Sequence, residues 1–235
     1  MPFRCLFHLH TRRSFDSWLS PAKILATARA MNVDVLIATD HNTLAGAKDL
    51  KNIARGNPKF VVAGVEYQTE KGDVIGLFLK NEILSRSSNQ VIAEIRAQDG
   101  LVVLPHPYKA HTLDEELLSQ IDLIEVHNSR CSKSENSAAC ELAQKLKRPF
   151  IGGADAHCAG ELRAVLNHFS AELPCDEAEL KQRLLHGART VESRSVSGIF
   201  RPYSQVIKAI KTGDPLLFLS QAKRLGVTFL REALR

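Results

Sequence analysis

Short apolar runs of strand length alternate with helix-like stretches along most of this chain, and run after run stops at a histidine or a carboxylate. The runs cover residues 3–8, 33–38, 60–65, 74–79, 101–104, 121–126 and 149–152. Ser20 and Pro21, an N-cap and a proline at the first helical position, open a helix to about residue 30, and further helical patterns cover 44–55, 88–98, 113–119 and 134–146. A parallel connection needs a long crossover, usually a helix, so this alternation predicts βα units around a parallel sheet. The expected class is α/β, with about seven strands.

With 235 residues the chain suits one α/β barrel with a large core, and no Gly/Ser/Pro-rich linker or fixed-period repeat divides it before residue 190. The segment from Ser195 onward differs. It is basic and amphipathic, with Leu216, Leu217, Phe218, Leu219, Leu225, Phe229 and Leu230 beside Lys223, Arg224 and Arg231. We therefore expect a barrel over residues 1–194 and a helical extension over 195–235 whose apolar face packs on the barrel or on a second subunit in a homodimer. The net charge of +5 favours anionic partners without the dense basic runs of nucleic-acid tails. Cys5, Cys131, Cys140, Cys158 and Cys175 are odd in number and lack a CxxC pair, which argues against a disulfide framework or a thiolate zinc site. No apolar run approaches the roughly 18 residues of a transmembrane helix. Two histidines interrupt the start of the chain where an export signal would be apolar, so a reducing cytoplasm is the expected compartment.

The chemistry-bearing residues fall at strand ends. His8-Leu9-His10 closes the first run, Asp40-His41 the second and Glu66 the third; Pro105-His106-Pro107 and Asp155-Ala156-His157 follow later ones. In a closed parallel sheet all carboxyl ends open on one face, where barrel enzymes carry their chemistry. Strand alternation directs His8 and His10 to one side, and Asp155 and His157 likewise, as two ligands of one metal require. Imidazoles and carboxylates without thiolates suit Zn²⁺, Mn²⁺ or Fe²⁺, and also admit Mg²⁺.

These residues resemble the four motifs of the polymerase and histidinol phosphatase (PHP) superfamily of metal-dependent phosphoesterases. His8-Leu9-His10-Thr11 with Ser14 and Asp16 is similar to the first, Thr39-Asp40-His41 to the second, Gly64-Val65-Glu66 with Pro105-His106-Pro107 to the third, and Asp155-Ala156-His157 to the fourth. The resemblance implies a distorted seven-stranded (β/α) TIM-like barrel with two to three divalent ions on its carboxyl face. It would place His8, His10, Glu66 and Asp155 around one ion, Glu66 and His106 around a second, and Asp16, His41 and His157 around a third. At the second ion, where the family often has another histidine, this chain offers Asp73 in Lys71-Gly72-Asp73, with His127 as a competing candidate.

The resemblance implies hydrolysis of a phosphate monoester, such as a nucleotide or another small phosphorylated metabolite, by a metal-activated hydroxide in a multinuclear site. Asp40 is the expected orienting partner, and Arg130, among the post-strand cations Arg12, Arg13, Lys109 and Arg130, the expected phosphate clamp. A nuclease trimming oligonucleotides, an amide-cleaving barrel hydrolase and a noncatalytic metal-binding regulator are the alternatives. His111, His168 and His186 fall on expected helices or loops and carry no assigned role.

Overall fold

Phe3, Cys5 and Phe7 alternate along strand β1 (Pro2–Phe7), and in the computed structural model, which describes residues 1–234, they point into a barrel. Arg235, the last residue of the expected extension, lies outside the described residues. The same alternation sends Val35 and Ile37 of β2 (Val35–His41) inward and Leu36 and Ala38 outward, against Ile24 of α1 (Pro21–Ala30) and Leu50 of α2 (Ala45–Ala54). The remaining strands are β3 (Phe60–Thr69), β4 (Gly72–Leu77), β5 (Leu101–Leu104), β6 (Leu123–Asn128), β7 (Phe150–Gly153), β8 (Val165–Glu172) and β9 (Arg189–Ser193). They form one sheet in the order β7-β6-β5-β4-β3-β2-β1-β8-β9. Helices α3 (Ser88–Ala97), α4 (Glu115–Ser119) and α5 (Lys133–Leu146) cover the outside, while Leu180 and Leu184 of α6 (Glu177–His186) join the interior cluster with the stacked rings of Phe3 and Phe169.

The sheet closes on itself at one end only. Near its start β1 pairs antiparallel with β8, whereas beyond Phe7 the chain pairs with the segment after β7, through Ala154 N donating to Phe7 O (2.9 Å) and His10 N donating to Ala156 O (2.8 Å). Asn167 of β8 stitches the gap, its side-chain oxygen accepting from Gly152 N at 2.8 Å and its amide donating to the Gly152 and Cys5 carbonyls. Closure thus falls where the first and fourth motifs must meet.

Two expectations need correcting. There are nine strands rather than seven, because the inward alternation of β8 is disguised by the polar Asn167 and His168, and β9 holds a single large apolar residue, Val191. His168 accordingly lies in a strand. Second, β4 runs antiparallel to both neighbours, joined to β3 by a tight turn. Gly72 there has φ +113°, and a Cβ on it would stand 2.4 Å from the His111 ring. The reversal puts the start of β4, with Asp73, on the face where the parallel strands end.

The extension forms two helices, α7 (Phe200–Thr212) and α8 (Pro215–Ala233). Helix α7 packs on the barrel with Ile207 and Ala209 buried; α8 packs against α7 and buries none of its residues. Among the described residues no helix is long and apolar enough to cross a membrane.

Candidate metal centre

At the carboxyl ends of the strands the apolar interior of the barrel gives way to imidazoles and carboxylates. His8 follows β1 with φ +62°, His106 follows β5 with φ +27° and Asp155 follows β7 with φ +47°, left-handed conformations that cost a non-glycine residue about 1–3 kcal/mol each. The first of these departs from the simple alternation expected to carry His8 and His10 to one side at the end of a strand over residues 3–8: β1 ends at Phe7, and the turn at His8 lets both imidazoles face the centre.

Glu66, fully buried on β3, is the hub. Its Oε1 lies 3.0 Å from His106 Nε2 and 3.4 Å from His8 Nε2; its Oε2 lies 3.2 Å from His41 Nδ1 and 3.4 Å from His10 Nε2. Asp155 Oδ1 stands 3.7 Å from His8 Nε2 and 3.5 Å from His10 Nε2. On the other flank Asp16 Oδ2 is 3.0 Å from His157 Nε2 and 3.4 Å from His41 Nε2. The donors fall into three overlapping groups: His10, Asp16, His41 and His157; His8, Glu66 and His106; and His8, His10 and Asp155. Ligands bound at about 2.1 Å from one ion sit about 3–4 Å from each other, which is the spacing seen here.

A second observation bears on the fit. His8 Nε2, His10 Nε2, Asp16 Oδ1, His41 Nδ1 and His106 Nδ1 are buried without a hydrogen-bond partner. Each such group costs about 1–3 kcal/mol when left unsatisfied, so a cation among them answers a need that the protein does not meet with its own donors. Burial would lower His8 and His41, but the carboxylates around them win: Glu125 and Glu66 hold His8 well above the ordinary imidazole value, and Glu66 and Asp16 push His41 up to about 9, so these two carry protons where a bound cation would replace them. Burial, reinforced by His157 and His41, pushes His10 down to about 3, leaving a neutral imidazole fit to ligate. Burial alone would raise Glu66 and Asp155, but His8 and His41 around the former, and Lys109 and His8 around the latter, hold both carboxyls well below the ordinary range. Burial and the neighbouring Glu66 push Asp73 up to about 6.

A second layer of contacts orients these groups. Glu125 on β6, fully buried, accepts from His8 Nδ1 (2.7 Å), from His106 N (2.7 Å) and from Asn128 Nδ2 (2.9 Å). It thereby keeps a proton on His8 Nδ1 and directs Nε2 toward Glu66, where a bound cation would take the place of a second proton. Asp40 accepts from Thr11 N (2.6 Å), Thr11 Oγ1 (2.9 Å) and Ser14 Oγ (2.8 Å), and Ser14 Oγ lies 3.2 Å from His10 Nδ1. Glu161 accepts from His157 N at 2.9 Å and from both arms of the Arg130 guanidinium.

The Asp40 carboxylate leaves no room beside it: a Cβ on Gly46 would fall 1.7 Å from Asp40 Oδ2 and 2.3 Å from Thr11 Oγ1. In an open helix Gly→Ala gains about 1 kcal/mol. Here the clash decides the sign, and Gly46→Ala is expected to destabilise by roughly 1–3 kcal/mol, lowering Tm by about 2–10 °C. A thermal melt matching wild type would refute this contact.

His8, His10, Asp16, His41, Glu66, His106, Asp155 and His157 therefore converge, and Asp73 Oδ2 stands at their edge, 3.9 Å from His106 Nε2. His127 does not join them. A register shift between Glu125 and His127 breaks the alternation, and His127 lines a separate groove with Lys133 and Ser195. Arg130 also departs from the expected phosphate clamp: its guanidinium is buried, forked on Glu161, and donates to Ser204 Oγ on α7 at 2.9 Å. The cation that does face the centre is Lys109, with Nζ 3.5 Å from Asp155 Oδ2. Glu125, Glu161 and Lys211 are the contributors that strand-end reasoning misses. Lys211 Nζ donates to the carbonyls of Arg12 (2.8 Å), Ser14 (2.7 Å) and Ser17 (2.7 Å), on the loop that carries Asp16.

Comparison with known proteins bears on the fold and the family. A family profile described as PHP-associated covers residues 133–188, from α5 through the Asp155–His157 corner to the barrel floor. The uncharacterized protein MJ1587 of Methanocaldococcus jannaschii is 33% identical over 136 residues, spanning 52% of this chain and 80% of its own. Among solved structures, a two-domain Bacteroides vulgatus protein containing a predicted PHP-like metal-dependent phosphoesterase superposes with TM-score 0.61 at 15% identity, over 72% of this chain and 58% of that one. An amidohydrolase from Chromobacterium violaceum gives TM-score 0.58 at 17% identity, over 76% and 96%. Sharing that fold, a PHP-associated segment, and 33% identity over 136 residues with the archaeal relative along 80% of the latter's length, the chain belongs to the PHP superfamily.

Proposed function

We propose that this chain is a metal-dependent phosphoesterase that hydrolyses a phosphate monoester of a small molecule. The reading rests on one observation above all: eight imidazole and carboxylate side chains, seven buried and His41 partly so, form three overlapping ligand groups with unsatisfied polar atoms, beside a lysine ammonium. His8, His10, Glu66 and Asp155 would hold one ion, Glu66 and His106 with Asp73 a second, and Asp16, His41 and His157 a third. Divalent ions bound there supply positive charge for phosphoryl oxygens and make a water molecule acidic enough to act as nucleophile near neutral pH.

The chain's own residues divide the remaining work. Lys109, tethered to Asp155, presents an ammonium to a phosphoryl oxygen and takes the role first expected of Arg130. Arg130 instead neutralises Glu161, which holds the His157 backbone. Asp40 positions His10 through Ser14 and touches no substrate. Two to three divalent ions would outweigh the charge of Asp16, Glu66 and Asp155, and that surplus would favour an anionic substrate over a neutral amide.

Phosphate release should be assayed across nucleotides, sugar phosphates and short oligonucleotides, with Mn²⁺, Zn²⁺ or Mg²⁺, for wild type, His10→Ala and Asp155→Ala. We expect metal-dependent release that each substitution lowers by at least about 100-fold. Metal binding without release from any phosphoester would refute the reading and turn attention to amides, the bond class named for the Chromobacterium violaceum neighbour. Preference for oligonucleotides over monoesters would make the enzyme a nuclease.

A further inference from the structure

A groove of about 230 Å³ opens beside the centre, with His157 as the wall that both share. Its other sides include Trp18, Tyr203, Lys23 and Cys158. The two rings are unusually open for their size, Trp18 being 49% and Tyr203 37% exposed. Neither sits on a loose segment. Ser17 Oγ lies 2.8 Å from the carbonyl oxygens of both His10 and His157 and shares its one proton between them, and Leu19 N donates to Ser17 Oγ, so the chain on both sides of Trp18 is tied to two ligand-bearing segments. Tyr203 precedes Ser204, which Arg130 anchors to the Glu161 network. Rigid backbone under a half-exposed aromatic ring is the arrangement of a stacking platform, since the ring is presented to a ligand at little cost in entropy.

We propose that this groove is a nucleobase subsite, so that the phosphoester taken by the centre is a nucleoside monophosphate; this rests on the phosphoesterase reading above. Phosphate at the ligand cluster and a base against Trp18 and Tyr203 would lie on opposite sides of His157, as the two ends of a nucleotide lie on opposite sides of its ribose. Lys23 adds a cation at the rim for ring carbonyls or a second phosphate. A sugar phosphate has nothing planar to offer these rings, so the groove discriminates among small phosphates where the cluster alone does not.

Trp18 is the single tryptophan of the chain, so tryptophan fluorescence, excited where tyrosine does not absorb, reports this groove. The full-length protein should be titrated with adenosine, adenosine 5′-monophosphate and ribose 5-phosphate. Adenosine carries no phosphoester, so its binding is read independently of catalysis. We expect saturable fluorescence change with adenosine and its monophosphate, little with ribose 5-phosphate, and adenosine binding weakened roughly 5- to 100-fold in Tyr203→Ala. In steady-state assays the kcat/KM preference for adenosine 5′-monophosphate over ribose 5-phosphate should fall by a similar factor in Trp18→Ala and be largely kept in Trp18→Phe, a pattern that a merely structural role would not give. A 5′-phosphorylated dinucleotide, run in parallel, separates a free nucleotide from the end of a chain: tighter binding of the dinucleotide would overturn the monophosphate assignment. No fluorescence response to adenosine, or equal kcat/KM for the two monoesters, would overturn the subsite while leaving phosphate release itself untouched.

Discussion

Substituting Glu125 by glutamine is expected to weaken divalent-metal binding by roughly 10- to 100-fold, the usual cost of removing a carboxylate that orients a histidine ligand. The reason lies in the count of donors around it. His8 Nδ1, His106 N and Asn128 Nδ2 all donate to the Glu125 carboxylate, which is fully buried. A glutamine brings an NH₂ group to one end. Turned toward His106 N and Asn128, the amide opposes two donors with a third; turned toward His8, it drives that imidazole to the other tautomer and puts a proton on Nε2, where the metal-facing lone pair should be. Glu125 Oε1 sits where a Cβ on the facing Gly153 would stand, 1.6 Å from that position, so the carboxylate is packed directly against bare backbone. Calorimetric titration of wild type and Glu125→Gln with Zn²⁺ or Mn²⁺ measures the change, and excess metal should restore part of the activity. Equal affinities would show that His8 needs no partner.

This residue also marks how far the sequence can be read. The ligand candidates are legible because each stands at a strand end beside another polar residue, where a packed core has no use for it: His8 with His10, Asp40 with His41, Asp155 with His157. Glu125 and His127 sit two apart in a strand and so by alternation share a face, and a histidine draws attention as the ligand. The bulge between them reverses the outcome, leaving Glu125 inside and His127 on a different groove. A one-residue change of register flips every side chain after it, and nothing local in Glu-Val-His-Asn announces it.

Arg130 and Lys109 show a different limit. Both cations follow strands and both are suited to a phosphate, but which one is free depends on Glu161, thirty-one residues from Arg130 in the chain. Long-range pairing of that kind is decided by the closed fold. The parallel alternation of the fold was readable for the same reason as the ligands, a repeated local pattern, whereas the reversal of β4 and the two late strands depend on edges that only closure of the sheet creates.

Lys211→Met is expected to lower kcat by roughly 100-fold while the barrel stays folded, although Lys211 lies on α7, in a segment that looks like a mere appendage. Its ammonium has three protons and donates to three carbonyls, those of Arg12, Ser14 and Ser17. These enclose Asp16 and adjoin Ser14, which contacts His10 and accepts from His41 N at 3.0 Å. Methionine keeps most of the stem and its packing but offers no donor, so the three carbonyls turn to water and the loop relaxes. Because the ammonium is partly exposed, the loss of stability should be only about 1–2 kcal/mol, a Tm decrease of about 2–8 °C. Catalysis is more sensitive than stability, since displacing a reacting group by about 1 Å costs on the order of 100-fold. Lys211→Arg, which retains charge and donors in a different shape, should fall between methionine and wild type. Unchanged turnover in Lys211→Met would mean that the barrel alone holds Asp16, and that α7 and α8 serve something other than the centre.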